Sequence, residues 1–178
     1  MEILEMSHSY KETDEYVFFY GSCFSQWAEF KIDIDGIEYN CCEQYMMSEK
    51  AKLFKDEVAL AAIMKEVDPA KQKAWGKRVK NFNKEEWEKV CKEIVFKANY
   101  AKFTQAPFCY RKLMETGNKI IVEASPYDTI WGIGIGCNDA RALDPKKWRG
   151  TNWLGEAIMK VRETIRQEKE NKRSAEEA

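Results

Sequence analysis

Six helix-like stretches set among four short β-rich runs predict a mainly helical α+β fold with a small β-sheet, in one domain. Three signals carry this expectation. Asp35-Gly36 between two apolar runs is a hairpin signature. Asn40 with Glu43, and Asn83 with Glu86, have capping-box spacing ahead of residues at helical periodicity. A lone β-branched run, Lys-Ile-Ile-Val-Glu at 119–123, stands between Gly117 and a glycine-bearing loop. The chain has 178 residues, enough for one domain with a substantial core.

Taken in order, residues 1–14 are polar and are expected to be irregular. Tyr-Val-Phe-Phe-Tyr at 16–20 is rich in β-formers. Phe30, Ile32 and Ile34 alternate with Lys31 and Asp33, and residues 37–39 form the return strand of the hairpin. A helix is predicted over 41–54, with Asn40 as its cap. Others follow at 57–67, at 70–79 after the Asp68-Pro69 break, from 84 to about 104, and from Pro107 to Gly117. Residues 124–149 read as loop. Asn152 is expected to cap a last helix, and the charged tail at 168–178 is expected to be disordered.

Composition narrows the chemistry. The net charge of −1 gives no global pull toward nucleic acid or anionic membrane, so any nucleic-acid contact must be local. No run approaches the roughly 18 apolar residues of a membrane span. The first residues lack a basic-then-apolar leader, so a cytoplasmic setting is expected. Six cysteines without a C-x-x-C pair, and the single histidine His8, argue for reduced thiols and against a metal site or cofactor. Acid–base work must then fall to carboxylates or lysine.

The helix predicted over 41–54 holds an anomaly. At about 100° per residue, Cys42, Met46 and Leu53 lie on one side of an apolar stripe and Met47 and Phe54 on the other. Glu43 and Lys50 project between them, while Gln44, Ser48, Glu49 and Lys52 take the solvated side. A charge flanked by apolar groups is costly unless paired or placed in a cleft. Glu43 also fits a plain capping box and Lys50 a snorkelling lysine. Their separation, about 10 Å along the axis, is too long for direct pairing. Two further clusters stand out. Asp128 and Trp131 precede the alternating glycines Gly132, Gly134 and Gly136, and would set a carboxylate beside an aromatic wall. Asp128 fits an Asx turn and Trp131 a core position equally well. The run Trp-Gly-Lys-Arg at 75–78 reads as a solvated basic face or as an arginine fork for phosphate.

The ordered motifs FFYGSCFSQW, DGIEYNCCEQYMMSEKAKLF, WGKRV, KFTQ, VEASPYDTIWGIG and WRGTNWLGEAIMKVR resemble the YbiA-like, or NADAR, family over residues 18–166. The resemblance implies a YbiA-like fold and N-glycosidase activity at a ribose C1–nitrogen bond. It offers two substrate classes, ribosylamino-pyrimidine phosphates of riboflavin synthesis and ADP-ribose attached to guanine in DNA or RNA. The family's helix glutamate and lysine correspond to Glu43 and Lys50, and the acid of its loop motif to Asp128, with Trp131 beside it. Glu43 is assigned as base or electrostatic stabiliser, Asp128 to sugar-hydroxyl binding or acid–base work, and Lys50 as nucleophile or phosphate ligand. Phe19, Tyr20, Gly21, Tyr45, Arg78, Trp131, Gly132 and Asn152 are the substrate-binding candidates, with Phe19 and Trp131 sandwiching a base. The family commonly has histidine where this chain has Gln44, and an aromatic or glycine where it has Trp75. The rival reading is a non-catalytic reader of ADP-ribose or nucleotides.

Overall fold

The computed structural model describes residues 9–177. The chain packs into two compact units, residues 26–106 forming one and the flanking segments forming the other. His8 and the rest of 1–8 lie outside the described residues.

The unit made from the two ends of the chain holds a three-stranded sheet in the order β1-β2-β5. Strand β1 (Ser9–Glu12) runs antiparallel to β2 (Tyr16–Tyr20), and β5 (Ile120–Glu123) runs parallel to β2 on its other side. Part of the stretch expected to be irregular is therefore strand. Its Tyr10 and Lys11 pair with Phe19 and Phe18, and Lys119 bonds Glu12. Val17, Phe18 and Phe19 are all fully buried, which is why a continuous apolar run rather than an alternating one forms the centre of this sheet. Helix α6 (Trp153–Glu176) packs on β5. It continues well past residue 167, where the sequence predicts disorder. Its last turns are exposed and built from good helix formers such as Glu, Lys, Arg and Ala. The loop glycines alternate with Ile133, Ile135 and Cys137, whose side chains fill the core with Phe18 and Val122.

The 26–106 unit begins with the hairpin of β3 (Ile32–Ile34) and β4 (Ile37–Tyr39). Asp35 (φ 54°) and Gly36 (φ 79°) give the two left-handed residues that a tight hairpin turn needs. Helix α1 (Cys42–Leu53) is its centre, touching α2 (Glu57–Lys65), α3 (Pro69–Lys77) and α4 (Lys84–Gln105). That position explains why α1 is buried all round from Cys42 to Ser48. Of the side expected to face solvent, Gln44 and Ser48 are covered instead while Lys52 is exposed, and Leu53 of the apolar stripe is exposed too. Asn83 caps α4 as expected, accepting from the Glu86 N–H at 3.0 Å. At the other end of α4, Gln105 grips both backbone groups of Asp33 at 2.8 Å each. No helix among the described residues is long and apolar enough to cross a membrane.

Candidate active site

Glu43 is not held by the expected capping box. The N-cap of α1 is Cys41, with no side-chain cap. The Glu43 N–H donates to the Gln26 carbonyl at 2.9 Å, so a neighbouring loop satisfies an orphan donor of the first turn. The residue that reaches back to Asn40 is Gln44: its Oε1 accepts the Asn40 N–H at 2.8 Å. Its Nε2 lies 3.1, 3.3 and 3.2 Å from the carbonyls of Ile63, Met64 and Glu66, the last turn of α2. The Asn40 side chain is likewise committed, to Val67 and Gln72. Glu43 is only 5% exposed, and the Asn40 N–H that its spacing would have it accept is taken by Gln44.

Lys50 is half-buried two turns along. Its Nζ stands 4.3 Å from the centre of the Phe82 ring and 5.8 Å from that of Trp87. Desolvation pulls its ammonium below the usual lysine range, and the carboxylate of Glu43 pulls the other way. An amine shifted down by burial, with a carboxylate near enough to act on it, has the properties that nucleophilic or proton-transfer chemistry requires.

Tyr45 does not join them. It is 4% exposed, its ring meets Tyr39 edge-on at 5.1 Å, and it belongs to the core cluster with Ile32 and Ala98. Desolvation pushes its phenol upward. Arg78 ends α3, exposed, with Cζ 5.7 Å from the Trp75 ring. Gly76 brings that run against α1, since a β-carbon there would stand 1.9 Å from the Met47 sulfur.

In the other unit, Asp128, Trp131, Gly132 and Asn152 are brought together by backbone bonds. Asp128 Oδ1 accepts the N–H groups of Ile130 at 2.8 Å and Trp131 at 2.7 Å, an Asx turn. The Gly132 carbonyl accepts from Asn152 and that of Trp131 from Leu154, which stitches the loop to the start of α6. Gly132 has no room for a side chain, with carbonyl oxygens 2.9 and 3.0 Å from where a β-carbon would stand. Asn152 sits before α6 in the left-handed region (φ 53°) without capping it. Its amide bonds Glu123 N and Ile121 O instead, binding the loop to β5. Trp131 is half-buried, edge-on to Trp153 at 5.7 Å. Phe19 is fully buried with its ring 5.4 Å from that of Phe24, so it has no face to offer a base. Tyr20 is 38% exposed beside Tyr127, and Gly21 (φ 94°) turns the chain just after it.

Four residues of the 26–106 unit escaped the sequence reading. Phe82 and Trp87 wall Lys50. Asn99 and Lys102 are both fully buried on α4. Asn99 donates to Gln26 Oε1 at 2.7 Å, and its Oδ1 faces the Cys42 thiol at 4.0 Å. Their three-residue spacing amid apolar positions was the available signal.

Comparison with known proteins places these residues in a family. The chain is 45% identical over 169 residues to N-glycosidase R617 of Acanthamoeba polyphaga mimivirus, spanning 88% of this chain and 99% of that protein. It is 31% identical over 144 residues to N-glycosidase Npun_R5314 of Nostoc punctiforme, spanning 81% and 85%. The NMR structure of the Escherichia coli protein YbiA matches with a TM-score of 0.73 at 26% identity, covering 93% of this chain and 92% of that one. The NADAR domain model matches residues 12–166, and the chain belongs to the NADAR family.

Proposed function

We propose that this protein is an N-glycosidase that breaks the bond between ribose C1 and a base nitrogen, with Lys50 and Glu43 as its reacting pair. The observation that carries the reading is the desolvated amine of Lys50 over Phe82, in electrostatic reach of Glu43. The N-glycosidase relatives speak for turnover rather than for a nucleotide reader. In the unprotonated form, Lys50 attacks C1 as the base leaves with a proton. Opening of the ribose then gives an imine to Nζ, and water releases the sugar and restores the amine. The Glu43 carboxylate offsets the positive charge that builds on the sugar and positions the water. Asp128, beyond shaping its loop, takes a sugar hydroxyl, and Trp131 offers a ring to the base. The six cysteines, all reduced and buried, support a cytoplasmic setting.

Of the two substrate classes, ADP-ribose on guanine in a nucleic acid is favoured by one local feature. Residues 69–84 hold Lys71, Lys73, Lys77, Arg78, Lys80 and Lys84 and no carboxylate. In the same unit Lys73 stands 5.8 Å from the Trp27 ring, Arg78 5.7 Å from that of Trp75 and Lys50 4.3 Å from that of Phe82. Cations interleaved with partly exposed rings suit phosphates and unstacked bases.

The test is an activity panel with borohydride trapping. ADP-ribosylated guanine in single-stranded DNA and ribosylamino-pyrimidine phosphate are offered separately, and released base and intact protein mass are read. Base release from the DNA substrate with a borohydride-fixed adduct, lost in Lys50→Arg, is expected. Release from the pyrimidine phosphate alone would reverse the substrate assignment. Turnover without an adduct would leave Glu43 and water as the whole mechanism.

A further inference from the structure

Tyr127 is the most exposed large apolar side chain among the described residues, at 85%. The loop that carries it is nonetheless fixed. Its N–H donates to Ser125 Oγ at 3.2 Å, and the Asp128 Asx turn follows at once. The Asp128 carbonyl accepts from the Gly134 N–H at 3.0 Å. A single exposed ring is ordinary on a protein surface, but this one belongs to a group. The Tyr20 ring lies 6.4 Å away, and Ile130 is half-exposed on the same turn. Strands β2 and β5 create the grouping. They run parallel with Phe19 opposite Glu123, so the chain leaves the sheet toward Tyr20 and toward Tyr127 at the same end.

The geometry of the pair restricts what it can hold. A flat base between two rings needs them parallel and about 7 Å apart, twice the optimal carbon–carbon separation. These rings are tilted by 56°, so a base stacks on the open face of Tyr127 alone. The neighbouring charge is basic. Residues 145–151 hold Lys146, Lys147 and Arg149 and no carboxylate. That segment is stitched to the Tyr127 loop. Thr151 N donates to Thr129 O at 3.1 Å, Thr151 Oγ1 to Ile130 O at 2.5 Å, and Arg149 N to Ile133 O at 2.9 Å. Lys147 reaches Asp144 only at 3.7 Å. Arg149 is exposed, and Asp139, the acid it acts on, is already paired with Arg141 at 2.6 Å.

We propose that Tyr127, braced by Tyr20, is a stacking platform for an unpaired base of a single-stranded nucleic acid, with Lys146, Lys147 and Arg149 meeting the phosphates beside it. The inference rests on the proposed reading of a nucleic-acid substrate. Trp131 offers its ring to the leaving base, and Tyr127, at the other end of the same turn, holds a neighbour in the strand. A stack on an open ring tolerates any base, whereas the phosphate contacts respond to salt.

The experiment is fluorescence anisotropy of a labelled, unmodified single-stranded DNA and of the same strand made abasic, across a salt series. It is run on wild type, Tyr127→Ala, Tyr127→Phe and Arg149→Ala. Tyr127→Ala is expected to weaken binding of the base-bearing strand roughly tenfold, the scale of one lost stack. It should leave the salt slope and the abasic strand unchanged, and Tyr127→Phe should bind as wild type does. Arg149→Ala should lower the slope by about 0.7. Wild-type affinity in Tyr127→Ala, an equal loss on the abasic strand, or a wild type that binds neither strand overturns the stacking platform. An unchanged slope in Arg149→Ala overturns the phosphate assignment. Unmodified DNA requires no turnover, so failure of the N-glycosidase reading would show separately, as a wild type that binds the strand and releases no base from its ADP-ribosylated form.

Discussion

The Nζ of Lys50 lies 4.3 Å from the centre of the Phe82 ring, and this single contact acts on the amine in two opposed ways. The ring face attracts the cation by about 0.5–1 kcal/mol at a site of this exposure. The ring also helps keep water away, which disfavours the cation, and the net shift of Lys50 is downward.

Two substitutions at Phe82 separate these effects. Phe82→Leu keeps an apolar cover and loses the ring face, so the Lys50 midpoint should fall by about half a pH unit. Phe82→Ala admits water, so the midpoint should rise toward the usual lysine value and turnover near neutrality should drop. The basic-side rise of the kcat profile reads both. Movement in the same direction would show that only one effect operates. Because the folded-state value lies below the unfolded one, the folded chain binds fewer protons between the two. Stability should therefore climb with pH across that window, and Lys50→Met should flatten the climb.

Asp128 gives a second separation. One of its oxygens organises the Ile130 and Trp131 amides, a duty asparagine can also perform. Asp128→Asn should therefore keep the melting temperature within a few degrees while lowering kcat by roughly 10²-fold, the usual scale of a lost acid–base group. Asp128→Ala should lower both. Full activity in the Asn variant would reduce Asp128 to a loop residue.

Gln44 belongs to the fold rather than to the chemistry. Its amide serves the end of α2 and the Asn40 N–H at once, in a buried place. Gln44→Ala leaves those groups without partners and should cost about 1–3 kcal/mol in urea unfolding. Activity per folded molecule should hold.

That residue also shows where the sequence stopped being readable. Periodicity finds a helix at 41–54 and sets Glu43 and Lys50 on one stripe, because spacing along a helix is local information. It places Gln44 in solvent because one amphipathic face is the usual case, whereas α1 is surrounded by α2, α3 and α4. The turn at Asp35-Gly36 and the Asn83 cap were legible for the same local reason. The partition of the chain at Ser25 and Ala106 was not, since no linker composition marks either place. Phe82 and Trp87 as the walls of Lys50 depend on contacts between residues 32 and 37 positions apart. No local pattern encodes such contacts.

Gly155 tests how α6 is seated. A β-carbon there would stand 2.1 Å from the Ile121 carbonyl oxygen and 2.5 Å from the Asn152 amide, neither of which can move without breaking the β5 contact. Gly155→Ala gains helix propensity of about 1 kcal/mol and should nonetheless lose on the order of 3 kcal/mol net through overpacking. Thermal unfolding reads the balance, and a stabilised variant would mean that α6 can retreat from the sheet.

The basic run on α3 makes the substrate assignment measurable without chemistry. Lys73 and Lys77 lie four residues apart and share a face of that helix. Each phosphate neutralised on a single strand contributes about 0.7 to the slope of log binding constant against log salt. If both lysines meet the strand, Lys73→Ala with Lys77→Ala should lower the slope for a single-stranded oligonucleotide by about 1.4. Fluorescence anisotropy across a salt series measures it. The partly exposed Trp27 beneath Lys73 adds a separable signature. Base stacking on that ring should quench its emission on binding, and Trp27→Leu should weaken binding by roughly 1–3 kcal/mol while leaving the slope unchanged. A slope that survives the double substitution would move the strand off α3, and the charge of this run would then serve only to keep a solvated face.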